Sequence, residues 1–306
     1  MKKCSKEKLI VILGPTASGK SKLAVKLAKK FNGEVISADS RQIYKGMDIG
    51  TDKITKKEMK GVPHHLLDIV SPKRNFSSAQ YQKLALKTIE KIIKKGKLPI
   101  LCGGTGFYIQ AIVDGLTFPR VPPNWNLRKK LEKKSPKELY QILKKLDPER
   151  AKKIEKKNKR RLIRAIEIAT KIGKVPPLRK KPLPYSLLIL GIKVPFEKLK
   201  EKIRKRFFKW LKKGLIKEVK KLRENFGLSF KKIENFGMHY RQISFFLQNK
   251  INRKEMIENS IKEIQNYVKK QMVFFKREKR VHWIKNQKEA EEMVKKFLKN
   301  KSSKKE

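Results

Sequence analysis

Residues 14–21 read GPTASGKS and match the pattern G-x-x-x-x-G-K-[ST] at every fixed position. Gly14, Pro15, Thr16, Ala17, Ser18, Gly19, Lys20 and Ser21 together make a loop suited to phosphate. In such a loop the backbone N–H groups around residues 16–20 turn inward on an anion, and the helix that follows adds partial positive charge. Lys20 would neutralise a terminal phosphate, and the Ser21 hydroxyl would ligate Mg²⁺. A diphosphate ester and a nucleoside triphosphate present the same oxygens, so the loop by itself leaves its cargo open.

Two further stretches carry polar groups where a ligand of that loop would sit. ADSRQIY, residues 38–44, places Asp39 just after an apolar run. A carboxylate near bound phosphate can take a proton from an attacking nucleophile, and the competing readings are a magnesium ligand or a helix cap. GGTGFY, residues 103–108, offers the Thr105 hydroxyl between glycines that either admit a ligand or simply make a turn. His64 and His65 are adjacent, with no further Cys or His nearby to complete a metal set, and are read as structural or substrate-gating.

These residues need a scaffold, and the apolar pattern supplies one. Residues 9–13 (LIVIL), 34–38 (EVISA) and 98–103 (LPILCG) are short continuous apolar runs, as expected for strands buried on both faces. Between them lie amphipathic helices, one with Leu23, Leu27 and Phe31 on one face and ended by Asn32-Gly33, another over residues 78–95. Alternating strands and helices predict an α/β fold with a parallel sheet. Ligands of such sheets bind beyond the carboxyl ends of the strands, so the three polar stretches should converge. Pro119, Pro122 and Pro123 break the pattern. Helices follow, with Ser135-Pro136 and Asp147-Pro148 as starts, until prolines at 176, 177, 182 and 184 close the segment. Residues 187–192 (LLILGI) and 281–284 (VHWI) are further strands. The predicted organisation is a discontinuous core, residues 1–119 and 185–299, a helical insertion at 120–184, and a disordered basic tail at 300–306.

Across the 306 residues, 81 Lys and Arg face 28 Asp and Glu, a net charge of +53. Such a field attracts a polyanion, although a general preference for lysine would also produce it. Local clusters are more informative. Lys152, Lys153, Lys156, Lys157, Lys159, Arg160, Arg161 and Arg164 surround a single acid, Glu155, which suits RNA phosphates or a solvated helix face. Tyr267, Phe274, Phe275 and Trp283 among Lys and Arg could stack on RNA or belong to the core, with the core favoured for Phe274. Two cysteines, Cys4 and Cys102, are too few for a disulfide scaffold or zinc cluster and suit a reducing cytoplasm. The first residues are expected to be neither signal peptide nor membrane span.

Taken in order, GPTASGKS, ISADSRQIYKGMDIGT (36–51), VPHHLLDI (62–69), GGTGFYIQAIVDGL (103–116), LDPERAKKI (146–154) and RRLIRAIEI (160–168) resemble the tRNA dimethylallyltransferases, also called tRNA isopentenyltransferases. The stretch from Arg206 to GLIKEV continues the likeness, and KKQMVFFKRE (269–278) follows it more loosely. The resemblance implies a phosphate-loop core with a helical tRNA-binding insertion. It implies that the loop holds dimethylallyl diphosphate with Mg²⁺, and that the exocyclic amine of the adenosine 3′-adjacent to the anticodon attacks while pyrophosphate leaves. Asp39 would be the base. Lys20 and Arg206 would steady the leaving group, and Thr16 and Thr105 would line the channel. Contacts to the anticodon stem-loop would come from Asp39, Ser40, Arg41, Gln42, Arg128, Arg160, Arg161, Leu162, Ile163 and Arg164. A cytoplasmic monomer is implied. Departures fall at Lys159, Trp210, FGMHYRQ (236–242) and Val273-Phe274-Phe275, away from the diphosphate loop. A small-molecule kinase with a phosphate loop would explain the loop and Asp39 but not the insertion, the basic carboxyl half or DSRQ-x-Y. A non-catalytic RNA-binding protein would explain the charge and leave the loop idle. A prenyltransferase of free adenine nucleotides is a third variant.

Overall fold

The computed structural model describes residues 7–300; Cys4 and the tail beyond residue 300 lie outside the described residues. Eight strands are present among them: β1 (Glu7–Leu13), β2 (Gly33–Ala38), β3 (His64–His65), β4 (Leu98–Gly103), β5 (Leu116–Thr117), β6 (Arg179–Lys180), β7 (Tyr185–Ile192) and β8 (Val281–Ile284). Six of them form one sheet in the order β3-β2-β4-β1-β7-β8. Every pairing in it is parallel.

Burial on both faces follows from the continuous apolar runs. Alternate side chains of one strand point to opposite faces. Leu9, Val11 and Leu13 of β1 join a core with Ile36, Leu101, Tyr81 and Ile89, while Ile10 and Ile12 join a second core with Val35, Ile100, Leu23 and Leu27. Helix Lys20–Lys30 covers the second face through Leu23, Ala24, Leu27 and Ala28. Helix Ser78–Lys94 covers the first and is started by a capping box in which Ser77 accepts from the Gln80 N–H and Gln80 answers the Ser77 N–H. Its Tyr81 is fully buried, donates to the Ser37 carbonyl at 3.0 Å and stacks on Tyr108 at 3.9 Å. That stack adds about 1 kcal/mol beyond burial, and the hydrogen bond to Ser37 holds the end of β2 in place.

His64 and His65 form the edge strand β3, an element too short for periodicity to reveal. The His65 ring pairs with the buried Glu34 at 2.7 Å and His64 Nδ1 meets the Val62 carbonyl at 2.8 Å, which is a structural role. No group of three or more His, Cys, Asp or Glu among the described residues could hold a metal ion. No described helix is long and apolar enough to cross a membrane.

The chain divides into two compact units: residues up to Asp114 together with those from Pro182 onward, and Gly115–Lys181. The second unit begins earlier and ends earlier than the prolines suggest. Its first and last segments are β5 and β6, which pair antiparallel through Leu116 with Lys180 and Thr117 with Arg179. Ser135 and Asp147 cap the helices Pro136–Leu146 and Pro148–Lys153, each with proline at the first helical position. Leu131, Leu139, Leu143, Leu162, Ile163 and Ile166 make this unit's own core.

Candidate active site

Three strand ends of the first unit meet. The loop after β1 is shaped by two left-handed residues, Ala17 at φ 68° and Gly19 at φ 89°. Gly19 lacks a Cβ, so its conformation carries no steric penalty. Successive right- and left-handed residues curl the N–H groups into a concave nest for anions. The nest is smaller than the sequence suggests. Thr16 N–H donates to the Gln271 Oε1 at 3.0 Å and Ser18 N–H to the Pro15 carbonyl at 3.2 Å. The cradle therefore falls to the remaining amides of residues 17–21. Ser18 Oγ is buried with no hydrogen-bond partner.

Lys20 begins helix Lys20–Lys30 and sits 3.5 Å from the Pro15 carbonyl. Burial pushes its pKa down, and the neighbouring Cys102, Asp39 and Asp52 oppose that while Arg206 adds to it. An ammonium with few water contacts gains most from an arriving anion. Burial likewise pushes the Cys102 thiol up to about 12, so it stays protonated and inert.

Asp39 follows β2. Its Oδ1 accepts from the N–H groups of Arg41 at 2.8 Å and Gln42 at 3.3 Å, so the carboxylate caps its own turn. Both bonds fall on one oxygen. Thr105, after β4, donates its N–H to the Ala38 carbonyl at 3.1 Å, and its Oγ1 accepts from Ser40 N–H at 2.9 Å. The two turns are thus tied together. The glycines beside Thr105 admit protein atoms. A Cβ on Gly103 would lie 2.2 Å from the Ala38 carbonyl oxygen, one on Gly104 2.5 Å from Gln271 Nε2, and one on Gly106 2.4 Å from the Phe274 ring.

A cavity of about 460 Å³ opens between these turns. Thr16, Ala17, Gly19, Lys20, Ser21, Asp39, Arg41, Gln42 and Arg206 all face it, whereas Gly14, Pro15, Ser18, Ser40 and Thr105, the last expected to line the channel, are not among its lining residues. Arg206 reaches it from helix Phe196–Lys212 and pairs with Asp52 at 3.0 Å. The other Asp52 oxygen accepts from Trp210 Nε1 at 3.2 Å. Arg41 is turned inward: its Nε donates to the Phe236 carbonyl at 3.0 Å and its guanidinium lies over the Phe236 ring. Gln42 donates to the Thr51 carbonyl at 3.1 Å and so anchors the next loop.

Sequence reasoning missed much of the far wall. Gly50, Asp52, Met238, His239, Tyr240 and Ile264 line it too, beside Tyr267, which the sequence offered only as an RNA-stacking or core aromatic. His239 is fully buried without a partner for either ring nitrogen, and burial drives its pKa down to about 3. Phe275 is core, Phe274 packs on Gly106 and Trp283 on Gly191, so three of the four carboxyl-terminal aromatics pack within the protein. The fourth, Tyr267, faces the cavity. An apolar periodicity over helix Arg253–Lys276 was the available signal for that wall.

Within the second unit the expected RNA contacts fare unequally. Leu162 and Ile163 are buried in its core. Arg128 makes a paired contact with Glu167 at 2.8 and 2.7 Å. Arg164 binds the same carboxylate and donates to the Val121 carbonyl at 2.8 Å. Burial acts to raise the Glu167 pKa, but Arg128, Arg164 and the Asn124 N–H hold it below the usual carboxylate value. Arg160 and Arg161 are exposed, Arg161 with a solvent-facing contact to Glu155 at 3.1 Å.

An anion nest at the carboxyl edge of a parallel sheet, faced by a carboxylate from the next strand end, defines a phosphate-loop protein of the α/β class. The IPP transferase family model matches residues 42–278. The tRNA dimethylallyltransferase of Acetivibrio thermocellus is 42% identical over 303 residues, 96% of each chain. That of Anoxybacillus flavithermus is 42% identical over 91% of this chain and 90% of its own. The solved full-length tRNA isopentenylpyrophosphate transferase of Bacillus halodurans superposes with a TM-score of 0.71 at 36% identity, covering 96% of both chains. A eukaryotic dimethylallyltransferase solved acting on tRNA gives a TM-score of 0.79 at 25% identity, over 98% of this chain and 81% of its own. The chain belongs to the IPP transferase family.

Proposed function

We infer that the chain is a tRNA dimethylallyltransferase. It transfers a dimethylallyl group from dimethylallyl diphosphate to the exocyclic amine of the adenosine 3′-adjacent to the tRNA anticodon. The amine forms a bond to the first carbon of the donor as that carbon's bond to oxygen breaks. Pyrophosphate leaves with the electron pair, and the amine proton passes to Asp39. Leaving-group charge is the main barrier. Lys20, the amides of residues 17–21 and Arg206 answer it in a site of restricted water access. Mg²⁺ would take the Ser21 hydroxyl and diphosphate oxygens as ligands and supply further charge compensation. Thr105, bonded to the Ser40 N–H, would hold the acceptor-side turn, and the adenosine must be flipped out to reach it. Arg160 and Arg161 would meet stem phosphates. We place the enzyme in the cytoplasm, working as a monomer.

The observation that carries this reading is that Lys20, Asp39 and Arg206 face one cavity in a chain of this family. The test is nucleoside mass spectrometry of tRNA after incubation with protein, Mg²⁺ and dimethylallyl diphosphate. Dimethylallyladenosine is expected beside the anticodon. A kinase would instead move label from γ-labelled ATP to an acceptor and leave the tRNA unchanged, which would end this reading. Product from AMP in preference to tRNA would overturn the choice of acceptor.

A further inference from the structure

Helix Arg253–Lys276 carries Tyr267 and Gln271 one turn apart, on the same face. Gln271 is 5% exposed, and both ends of its amide are in use. Oε1 accepts from the Thr16 N–H at 3.0 Å, and Nε2 donates to the Gly104 carbonyl at 2.7 Å. One side chain therefore joins the opening of the phosphate loop to the end of β4. Only a glycine at 104 leaves room for it, since a Cβ there would come within 2.5 Å of Nε2. Tyr267 faces the cavity one turn away, and burial pushes its hydroxyl up to about 12, so it stays neutral. Thr105 accepts from the Ser40 N–H, next to Asp39. Because Gly104 and Thr105 are consecutive, these bonds together connect the anion loop to the turn that bears the carboxylate.

We propose that Gln271 is the positioning residue that sets the separation between the diphosphate held by the loop and the acceptor at the Asp39–Thr105 turn. It does so by withholding the Thr16 amide from the anion and clamping it to β4. The inference rests on the transfer reaction given above. Its chemistry is demanding: the side chain must accept on one atom and donate on the other. Leucine does neither. An ionised glutamate still accepts from Thr16 but turns an unprotonated oxygen on the Gly104 carbonyl. A protonated glutamate restores both bonds, because its O–H replaces the amide N–H. Burial and the facing carbonyl would raise that glutamate's pKa, bringing its protonation into a measurable range.

The experiment compares wild type, Q271L and Q271E for turnover, donor KM, pyrophosphate affinity, tRNA affinity and thermal midpoint, between about pH 5.5 and 8.5. Q271L is expected to lose turnover by about 10²-fold at saturating donor and tRNA, the effect of a misplacement of order 1 Å. Its donor KM and pyrophosphate affinity should stay level or tighten, because the Thr16 amide is released toward the anion. Q271E should resemble Q271L at high pH, and its turnover relative to wild type should climb as pH falls. Q271L turnover within about twofold of wild type, well inside the 10²-fold expected of misplacement, would overturn the proposal. So would a Q271E-to-wild-type ratio that is flat with pH. If Q271L fails to fold, the pH ratio of Q271E decides alone. Wild type in the same assay separates the two levels: no tRNA product from wild type sinks the transfer reaction, whereas product from wild type with undiminished Q271L sinks only the role of Gln271.

Discussion

Each unit of the molecule is organised by a buried glutamate, and the two are satisfied in opposite ways. Glu218, in helix Leu215–Glu224, accepts from the N–H groups of Asp48 at 2.8 Å, Ile49 at 2.6 Å and Gly50 at 3.1 Å, and from the Tyr240 hydroxyl at 2.8 Å. No cation takes part in those bonds. The result is a fixed main chain for the loop carrying Gly50 and Asp52, and hence a fixed partner for Arg206 and Trp210. Glu167, in helix Lys159–Ile172, is held instead by Arg128 and Arg164. Those are two of the arginines that the family resemblance assigns to tRNA. A carboxylate that gathers backbone amides shapes a cavity, and one that gathers guanidiniums removes cations from the surface. Sequence charge therefore overstates what is available to a polyanion. Around the same helix Lys156 lies over Tyr140 and Lys159 donates to the Glu132 carbonyl.

The sharpest test of this contrast is E218A. It strands three amides and a hydroxyl in a buried place, and about 3–5 kcal/mol of stability should go with them. Turnover should collapse even in protein that remains folded, because Arg206 loses its fixed partner. Denaturant melts together with kinetics check this, and an E218A protein of wild-type stability and rate would break the comparison. E167A should cost less, about 2 kcal/mol, because Arg128 and Arg164 can turn to water. It should also release both cations, so tRNA affinity at low salt should rise and its salt dependence steepen. A shallower salt slope would mean that the two arginines serve RNA from their paired positions.

His239 adds a pH axis to the first region. Its folded pKa, about 3, lies below the unfolded value of 6.5. Between those values the unfolded chain binds a proton that the folded chain refuses. This contribution to stability is intact above 6.5 and is lost as pH falls toward 3, by up to about 1.4 kcal/mol per unit. H239F should flatten that part of the stability-versus-pH curve. An unchanged slope would show that His239 is not the group responsible. The smallest effect on stability belongs to Arg161, whose contact with Glu155 is solvent-exposed on both sides. R161A should stay within about 0.5 kcal/mol of wild type in stability while lowering the tRNA salt slope by about one. R164A, by contrast, should lose stability as well.

What was legible in the chain follows the range of the interactions. The parallel strands stood out because burial on two faces demands unbroken apolar runs. The site's donor side stood out because eight adjacent residues encode it. The two-residue strands β3, β5 and β6 left no trace, since two residues carry no period. Asp39 was recognisable as a strand-end carboxylate, but its capping of Arg41 and Gln42 depends on a turn geometry that composition does not express.

The sequence by itself determined the anion loop, the sheet that presents it and the family to which the chain belongs. All three show in short runs of residues, even though the strands themselves pair over long stretches of chain, Leu9 with Leu187 for one. Only the tertiary structure decided which amide the loop withholds and which arginines are already engaged. Gln271 meets Thr16 across 255 positions of chain, and Arg128 meets Glu167 across 39. Such partners are chosen by the path of the folded backbone and by the need to satisfy every buried polar atom at once, and neither is written in any local run of residues.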